Sequence, residues 1–523
     1  MRFSPGAFSF LAFAALGAVS LQAAKAADIT YAISAPATST DPHYQNATPN
    51  NSALRNVFQT LTQIDADGKI VPDLAESWRL IDDKTWEFKL RPAKFHDGSD
   101  LTAEDVIYSL DRPATIKNSP SSFTIYTKPI IDKQIVDRNT IRLVTAGPYP
   151  LLPIDLINVF IVKKSATENL TTQDFNAGKG MVGTGPFNFV SFTPDEKLVL
   201  KRNENYWGQK PAWDNVTIRF IPNDGARTTA LLSGSVDAIE NVPTPDIEKL
   251  KNEPNVVFAS RKSQRVVFLF LDSGRDNPPG VMGTDGKPLA ANPLKDVRVR
   301  QAINMAIDRE AIRNRVMQQL AYPTNNIVFD GGEGFMQKYE TVPLDAAKAK
   351  QLLADAGYPN GFQLTIAAPN NRLINDEKVV QAIAQMLTRI GIKTQVDAMP
   401  FSVINTRGGK GEFAASLMAW GNTVEGSNPI RALIACKNPE KGWGPVNWSN
   451  YCNPKLDEVL GKAITTVDTP QRKALLEEAV GIAVDELAIV PLYFQGSTWA
   501  ARKGIKIIPR SDERTMPNSF EPA

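Results

Sequence analysis

Val71-Pro-Asp-Leu-Ala-Glu-Ser-Trp78, continued by Phe95-His-Asp-Gly-Ser-Asp-Leu-Thr-Ala-Glu-Asp-Val106, is the stretch on which the fold turns. It reads as an exposed turn, two strands and a capped helix in fixed order. Thr85 to Leu90 alternates, which places Trp86, Phe88 and Leu90 on one face of a strand. Thr102 stands three residues before Asp105, and Val106, Ile107 and Leu110 follow at helical spacing, the pattern of a capping box opening a helix. Just upstream, Gln59 to Ile64 and Lys69 to Val71 flank Asp65-Ala-Asp-Gly68, a hairpin with an Asp-Gly turn.

Outward from this stretch, strands are predicted at Asp28 to Ser34, Thr140 to Val144, Phe187 to Val190, Lys197 to Lys201 and Val216 to Ile221. A helix follows at Asp224 to Leu232. Strand and helix then alternate: a buried strand Val266 to Leu271, one long helix Val297 to Val316, and a helix Asp345 to Ala356. Next come a strand Phe362 to Ala367, a helix Asp376 to Ile390 and a strand Ile392 to Val396. Such alternation predicts α/β lobes with open sheets. At roughly 150 residues per domain, the 523-residue chain suggests about three domains.

The N-terminus carries Arg2, an apolar run from Ala7 to Leu21 and the small-x-small site Ala24-Lys25-Ala26, so residues 1–26 are expected to be a cleaved leader. No Cys lies near the cut to carry a lipid. Cleavage would remove Arg2 and Lys25 and bring the formal charge from +2 to about zero, which gives no electrostatic reason to bind nucleic acid or an anionic membrane. The cysteines, Cys436 and Cys452, lie in one segment and are expected to pair in an oxidising compartment.

Catalytic motifs are missing. His43 and His96 stand far apart, and neither a His-Glu-x-x-His nor a Gly-x-Ser-x-Gly pattern occurs. Pro288 and Val281 break a P-loop reading around Gly286-Lys287. Asp65-Ala-Asp-Gly68 with Glu76 fails as a calcium loop at Lys69 and Ile70. No metal, cofactor or enzymatic activity is expected.

Gly183-Thr-Gly-Pro-Phe187, Asn203-Glu-Asn-Tyr-Trp-Gly208 and Asn292-Pro-Leu-Lys-Asp-Val-Arg-Val-Arg-Gln-Ala-Ile-Asn-Met-Ala-Ile-Asp308 follow the opening stretch in order. Together these blocks resemble the signature of family 5 extracellular solute-binding proteins (peptide, opine and nickel type) of ABC importers, and in pattern the peptide- and glutathione-binding branch. The resemblance implies an α/β, two-lobed periplasmic-binding-protein fold of the large three-domain class (cluster C type). Its first lobe would be discontinuous, from residues 27–48, 178–264 and 490–523. Residues 49–177 would form the extra domain and 265–489 the second lobe. It implies a periplasmic monomer that captures a peptide-like solute by hinge closure and delivers it to a permease with cytoplasmic ATPases. Opines, oligosaccharides and other non-peptide solutes are the alternatives, with a periplasmic hydrolase or chaperone role behind them.

The resemblance also marks a site. In peptide-binding relatives a carboxylate after a strand ending in Trp pairs with the ligand's ammonium group. Here Ser416 to Trp420 is followed by Gly421-Asn-Thr-Val-Glu-Gly-Ser-Asn-Pro429, with Asn422 or Thr423 near the position of that carboxylate and Glu425 as the loop's one acid. Trp420 is expected as a cleft wall or as core, and Glu425 as an ammonium grip or a solvated loop acid. The same mapping adds Tyr44, beside the Asp41-Pro42 turn, Arg265 at the crossing between lobes, and Arg372 as a clamp for a ligand carboxylate. Asp73, Glu76, Trp78 and Asp97 are expected to be structural.

Overall fold

Two long strands, Val256–Leu271 and Val490–Arg502, organise the chain. They run antiparallel from Val256 opposite Arg502 to Leu269 opposite Val490, with the register shifted between Lys262 and Val266 and again between Val267 and Phe268. The computed structural model describes Met1 and residues 27–341, 343–421 and 424–523. Beyond Met1, the expected leader lies outside the described residues.

One half of this ribbon carries Ala238–Glu240, Asp28–Ile33, Asn215–Phe220, Lys197–Arg202 and Phe187–Thr193, in that order. The other half carries Ala415–Trp420, Phe362–Pro369 and Val281–Met282, with Ile392–Met399 also beside Phe362–Pro369. A single 12-stranded sheet is therefore two lobes sharing one ribbon. The irregularity at Ser263–Arg265 marks their junction, since a bulge bends and twists a strand locally. There Ser263 Oγ donates to the Gln495 carbonyl at 2.8 Å, and the Gln264 N–H donates to the Ser511 carbonyl at 2.9 Å.

A separate four-stranded antiparallel sheet has the order Ala75–Asp82, Thr85–Leu90, Thr140–Thr145, Ile130–Asp137. The helix Ala103–Asp111 opens with the capping box: the Thr102 N–H donates to Asp105 Oδ2 at 3.0 Å and the Asp105 N–H to Thr102 Oγ1 at 3.4 Å. Phe88, Leu90, Val106, Leu110, Ile141 and Leu143 are buried together between sheet and helix. Both ends of the stretch 49–177 pack elsewhere. Leu54, Val57, Phe58, Phe160 and Phe175 share the core of the first lobe with Tyr31, Leu200 and Ile218.

The opening stretch, Gly183–Phe187 and Asn203–Gly208 meet where this sheet joins the first lobe, while Asn292–Asp308 packs in the second. A Cβ on Gly183 would lie 1.8 Å from the Val57 carbonyl oxygen, so the chains can approach only through glycine. The Gly185 N–H donates to that same carbonyl at 2.9 Å. Asn203 Nδ2 and His96 Nε2 both reach the Gly185 carbonyl, at 3.0 Å each. Trp207 Nε1 donates to Gln59 Oε1 at 2.9 Å, and Asp73 accepts from the Thr60 N–H at 3.0 Å. The signature thus encodes a joint.

The long helix predicted over Val297 to Val316 is corrected. Val297–Ala306 ends, Ile307 is extended, and Asp308 caps a new turn by accepting from the Ala311 N–H at 2.8 Å. Buried Arg309 ties the break together, donating to the carbonyls of Asn304 and Pro491. In the second lobe Cys436 and Cys452 are joined as a disulfide. Asn447 Nδ2 holds the enclosed loop through the carbonyls of Ile434, Ala435 and Tyr451. Among the described residues no helix is long and apolar enough to cross a membrane.

Candidate functional site

Trp420 ends the strand Ala415–Trp420 opposite Val266 of the ribbon, so the loop after it starts at the junction of the lobes. Its ring is half-buried against the second-lobe core, and its Nε1 donates to Asn428 Oδ1 at 2.8 Å. It packs on the core with part of the ring left open. Gly421 leaves room beside Arg265, whose Nη2 would lie 3.6 Å from an added Cβ. Asn422 and Thr423 lie outside the described residues.

Glu425 is placed differently from either expectation. It is 6% exposed, which corrects its reading as a solvated acid. Oε1 accepts from Arg472 Nη2 at 2.5 Å, while Oε2 accepts from Ser427 Oγ at 2.6 Å and the Asn428 N–H at 3.2 Å. Both oxygens therefore have partners within the protein. Arg472, on the helix Thr469–Asp485, also pairs with Glu333, and the Glu333 N–H bonds the Val424 carbonyl at 2.9 Å. Burial raises the Glu425 pKa, against the hydrogen bonds of Ser427 and Asn428 and the charge of Arg431.

Arg265 lies at the ribbon's irregularity and is largely buried. Its Nη2 meets Glu513 Oε2 at 2.6 Å and its Nε lies 3.0 Å from the same oxygen, a fork that orients both side chains. Arg372 is exposed, its guanidinium 5.5 Å from the centroid of the Phe401 ring. The neighbouring Arg265 cation lowers the Arg372 pKa to about 10, so it stays charged at neutral pH.

The remaining candidate, Tyr44, lies where the first lobe meets the extra sheet's domain, its carbonyl accepting from Ser119 Oγ at 2.6 Å. Tyr44 is half-buried at the end of a turn closed by its N–H on the Asp41 carbonyl at 3.2 Å. Asp41 takes both arms of Arg112, at 2.7 and 3.0 Å. Arg112 can only donate, so His43 Nδ1 accepts from it at 3.2 Å and Nε2–H donates to the Phe160 carbonyl at 2.8 Å. Burial, then Arg112, depress the His43 pKa to about 3, so the ring is neutral.

Several lining residues escaped the sequence reading. Tyr149 donates to Asp155 Oδ2 at 2.5 Å, and this pair faces Arg431 and Glu425 of the other lobe. Burial pushes the Asp155 pKa up to about 7, opposed by Tyr149 and Arg431. In the C-terminal run Arg510-Ser-Asp-Glu-Arg514 the first two residues are buried and the rest half-buried, with Asp512 accepting from Arg510 at 2.8 Å and from Arg514 at 3.1 Å. Among the described residues no cluster of His, Cys, Asp and Glu could hold a metal ion.

The arrangement is two lobes on a shared ribbon, and known proteins share this fold. The chain is 27% identical over 512 residues to the glutathione-binding protein GsiB of Salmonella typhi, covering 94% of each. It is 27% identical over 475 residues to heme-binding protein A of Haemophilus influenzae, covering 85% of this chain and 83% of that one. The periplasmic binding protein DppA of Helicobacter pylori, solved with the peptide STSA, superposes with a TM-score of 0.74 at 25% identity, over 95% of this chain and 98% of that one. The fold is the cluster C periplasmic-binding-protein fold. Members of the family are non-enzymatic binding components of ABC transporters. The family profile described as bacterial extracellular solute-binding proteins, family 5 middle, matches residues 69–440, and the chain belongs to that family.

Proposed function

We propose that this protein captures a peptide-like solute, with glutathione-like molecules the specific candidates, between its two lobes and delivers it to the permease of an importer. The observation that carries this is the pairing of walls: the Trp420–Gly421 loop of the second lobe and the Tyr149–Asp155 pair of the extra domain lie beside a shared ribbon that bends at Ser263–Arg265. Partly wet indole, phenol and guanidinium groups suit a ligand with apolar and charged parts. The glutathione-binding relatives support the solute class. Closure is a population shift, because a ligand touching both walls stabilises the closed state by its differential contacts.

In this proposal Trp420, Gly421, Tyr44 and Arg372 contact the solute directly. Arg265 and Glu425, through Glu513 and Arg472, hold the junction and the loop in place. Residues 27–48, 178–264 and 490–523 form the first lobe, 49–177 the extra domain and 265–489 the second lobe. The protein works as a periplasmic monomer. Titration calorimetry with glutathione, comparing wild type and Trp420→Ala, tests this placement. The variant is expected to lose about 1 kcal/mol or more of binding free energy, the order for removing an aromatic wall. Unchanged affinity would remove Trp420 from the wall.

A further inference from the structure

We propose that Arg55 and Arg514 form a subsite for the carboxylate of an amino-acid-like end of the solute, with Asn51 accepting the adjacent N–H. This deepens the solute-capture proposal and rests on it.

The helix Thr48–Leu54 and its C-cap Arg55 place Asn51 and Arg55 one turn apart on one face. Arg55 gives one Nη2 hydrogen to the Ile157 carbonyl and stands 5.5 Å from the Phe160 ring centroid. Its Nε is buried without a hydrogen-bond partner. Among the described residues no carboxylate forms an ion pair with it, although Asp512 and Asp73 are among the nearby charges. Arg514 is another neighbour, and it shares Asp512 with Arg510. These guanidinium groups thus crowd around too few anions. Burial, and next the Arg514 cation, lower the Arg55 pKa to about 9, which leaves it charged at neutral pH. An anionic oxygen group between Arg55 and Arg514 would supply the missing countercharge and take the fork geometry arginine prefers.

Asn51 adds the second half. It is 5% exposed, and its Nδ2 donates to Asn46 Oδ1 at 3.0 Å. Asn46 Nδ2 donates in turn to the Tyr126 hydroxyl at 2.9 Å. This chain fixes the amide orientation and leaves Asn51 Oδ1 as a buried acceptor without a partner. An orphan donor and an orphan acceptor one helical turn apart match a carboxylate with a neighbouring N–H, the end of an amino acid, peptide or opine. A neutral sugar would leave the guanidinium charge unanswered. Tyr126 is near enough to feel the charges of both Arg55 and Asp155, and Asp155 those of Arg431 and Glu425 in the second lobe, so the subsite lies beside the Tyr149–Asp155 pair.

The test is calorimetry at pH 7 on the full protein and its Arg55→Met variant, with glutathione, glutathione diethyl ester, octopine, citrate and glucose 6-phosphate. The ligand-free melting temperature of each protein is measured alongside. Arg55→Met is expected to weaken glutathione or octopine by about thirtyfold or more, as for truncating one partner of a buried charge pair. The diethyl ester should bind both proteins alike, and the ligand-free variant should melt no lower than wild type, because an uncompensated cation has been removed. A lower melting temperature with unchanged affinity for the acids would make Arg55 structural and overturn the subsite, while the peptide-like solute class would stand. If only citrate or glucose 6-phosphate binds, and the variant loses it, an anion site exists but both the amino-acid end and the peptide-like class fall. Binding of none of the probes by wild type would overturn both together.

Discussion

Asp41→Asn is expected to lower the free energy of unfolding at pH 7 by about 3–5 kcal/mol, the range for breaking a buried ion pair by removing one partner. Asp41 is 1% exposed and Arg112 3% exposed, and the amide would leave the guanidinium charge uncompensated. The carboxylate also accepts from Thr172 Oγ1 at 2.8 Å and the His43 N–H at 3.0 Å, so the change loosens a network that fixes the turn before Tyr44. Burial alone would raise the Asp41 pKa, but the hydrogen bonds and charge of Arg112 more than reverse that and lower it. A depressed carboxyl pKa gives stability that is fully present above the unfolded value and is lost as pH falls through the folded one. His43 acts in the same direction. Its folded value of about 3 lies below its ordinary 6.5, so the unfolded chain takes up the proton first and stability declines as pH drops below about 6.5. Urea unfolding of wild type and variant at pH 7, with a wild-type series down to pH 4, checks both signs. A variant within about 1 kcal/mol of wild type would show that the pair is not a keystone of the turn.

Arg472→Met carries the second large effect, about 3 kcal/mol at pH 7, because it strips the buried Glu425 carboxylate of its cation. Glu333 is half-exposed and can turn to water, so the cost falls on Glu425. Its pKa is already raised by burial, and loss of the Arg472 ion pair removes a support for the charged form. A raised carboxyl pKa favours the folded state as pH falls through it. The deficit of the variant should therefore shrink between pH 7 and pH 5, and Glu425→Gln in the same chain should recover part of it. Paired urea titrations at the two pH values measure this. A deficit that is the same at both would mean that it arises from packing of the arginine stem.

Local patterns were legible in the sequence, and long-range ones were not. The Thr102 capping box, the Asp-Gly hairpin and the alternating strand at Thr85 are set by neighbours in the chain, and all three stand in the structure. The first half of the strand Val256–Leu271 went unseen because Arg261-Lys-Ser-Gln-Arg265 breaks its apolar run. Those polar residues are explained by the junction, where Ser263, Gln264 and Arg265 bond Gln495, Ser511 and Glu513. At the site, Trp420 and its loop were legible through the resemblance. Tyr149, Asp155, Arg431 and the run 510–514 were not, since segments far apart in the chain bring them together. A charged run normally faces water, and no local pattern distinguishes one that the fold covers.

Thermal unfolding in the presence of dipeptides, longer peptides, glutathione, opines and oligosaccharides measures the capture of a peptide-like solute most directly. A compound at about a hundredfold over its Kd adds about 2.7 kcal/mol, which shifts the melting temperature visibly. Stabilisation by glutathione or another peptide-like compound is the expected result. Stabilisation by oligosaccharides alone would contradict the solute class, while leaving the family and the fold in place.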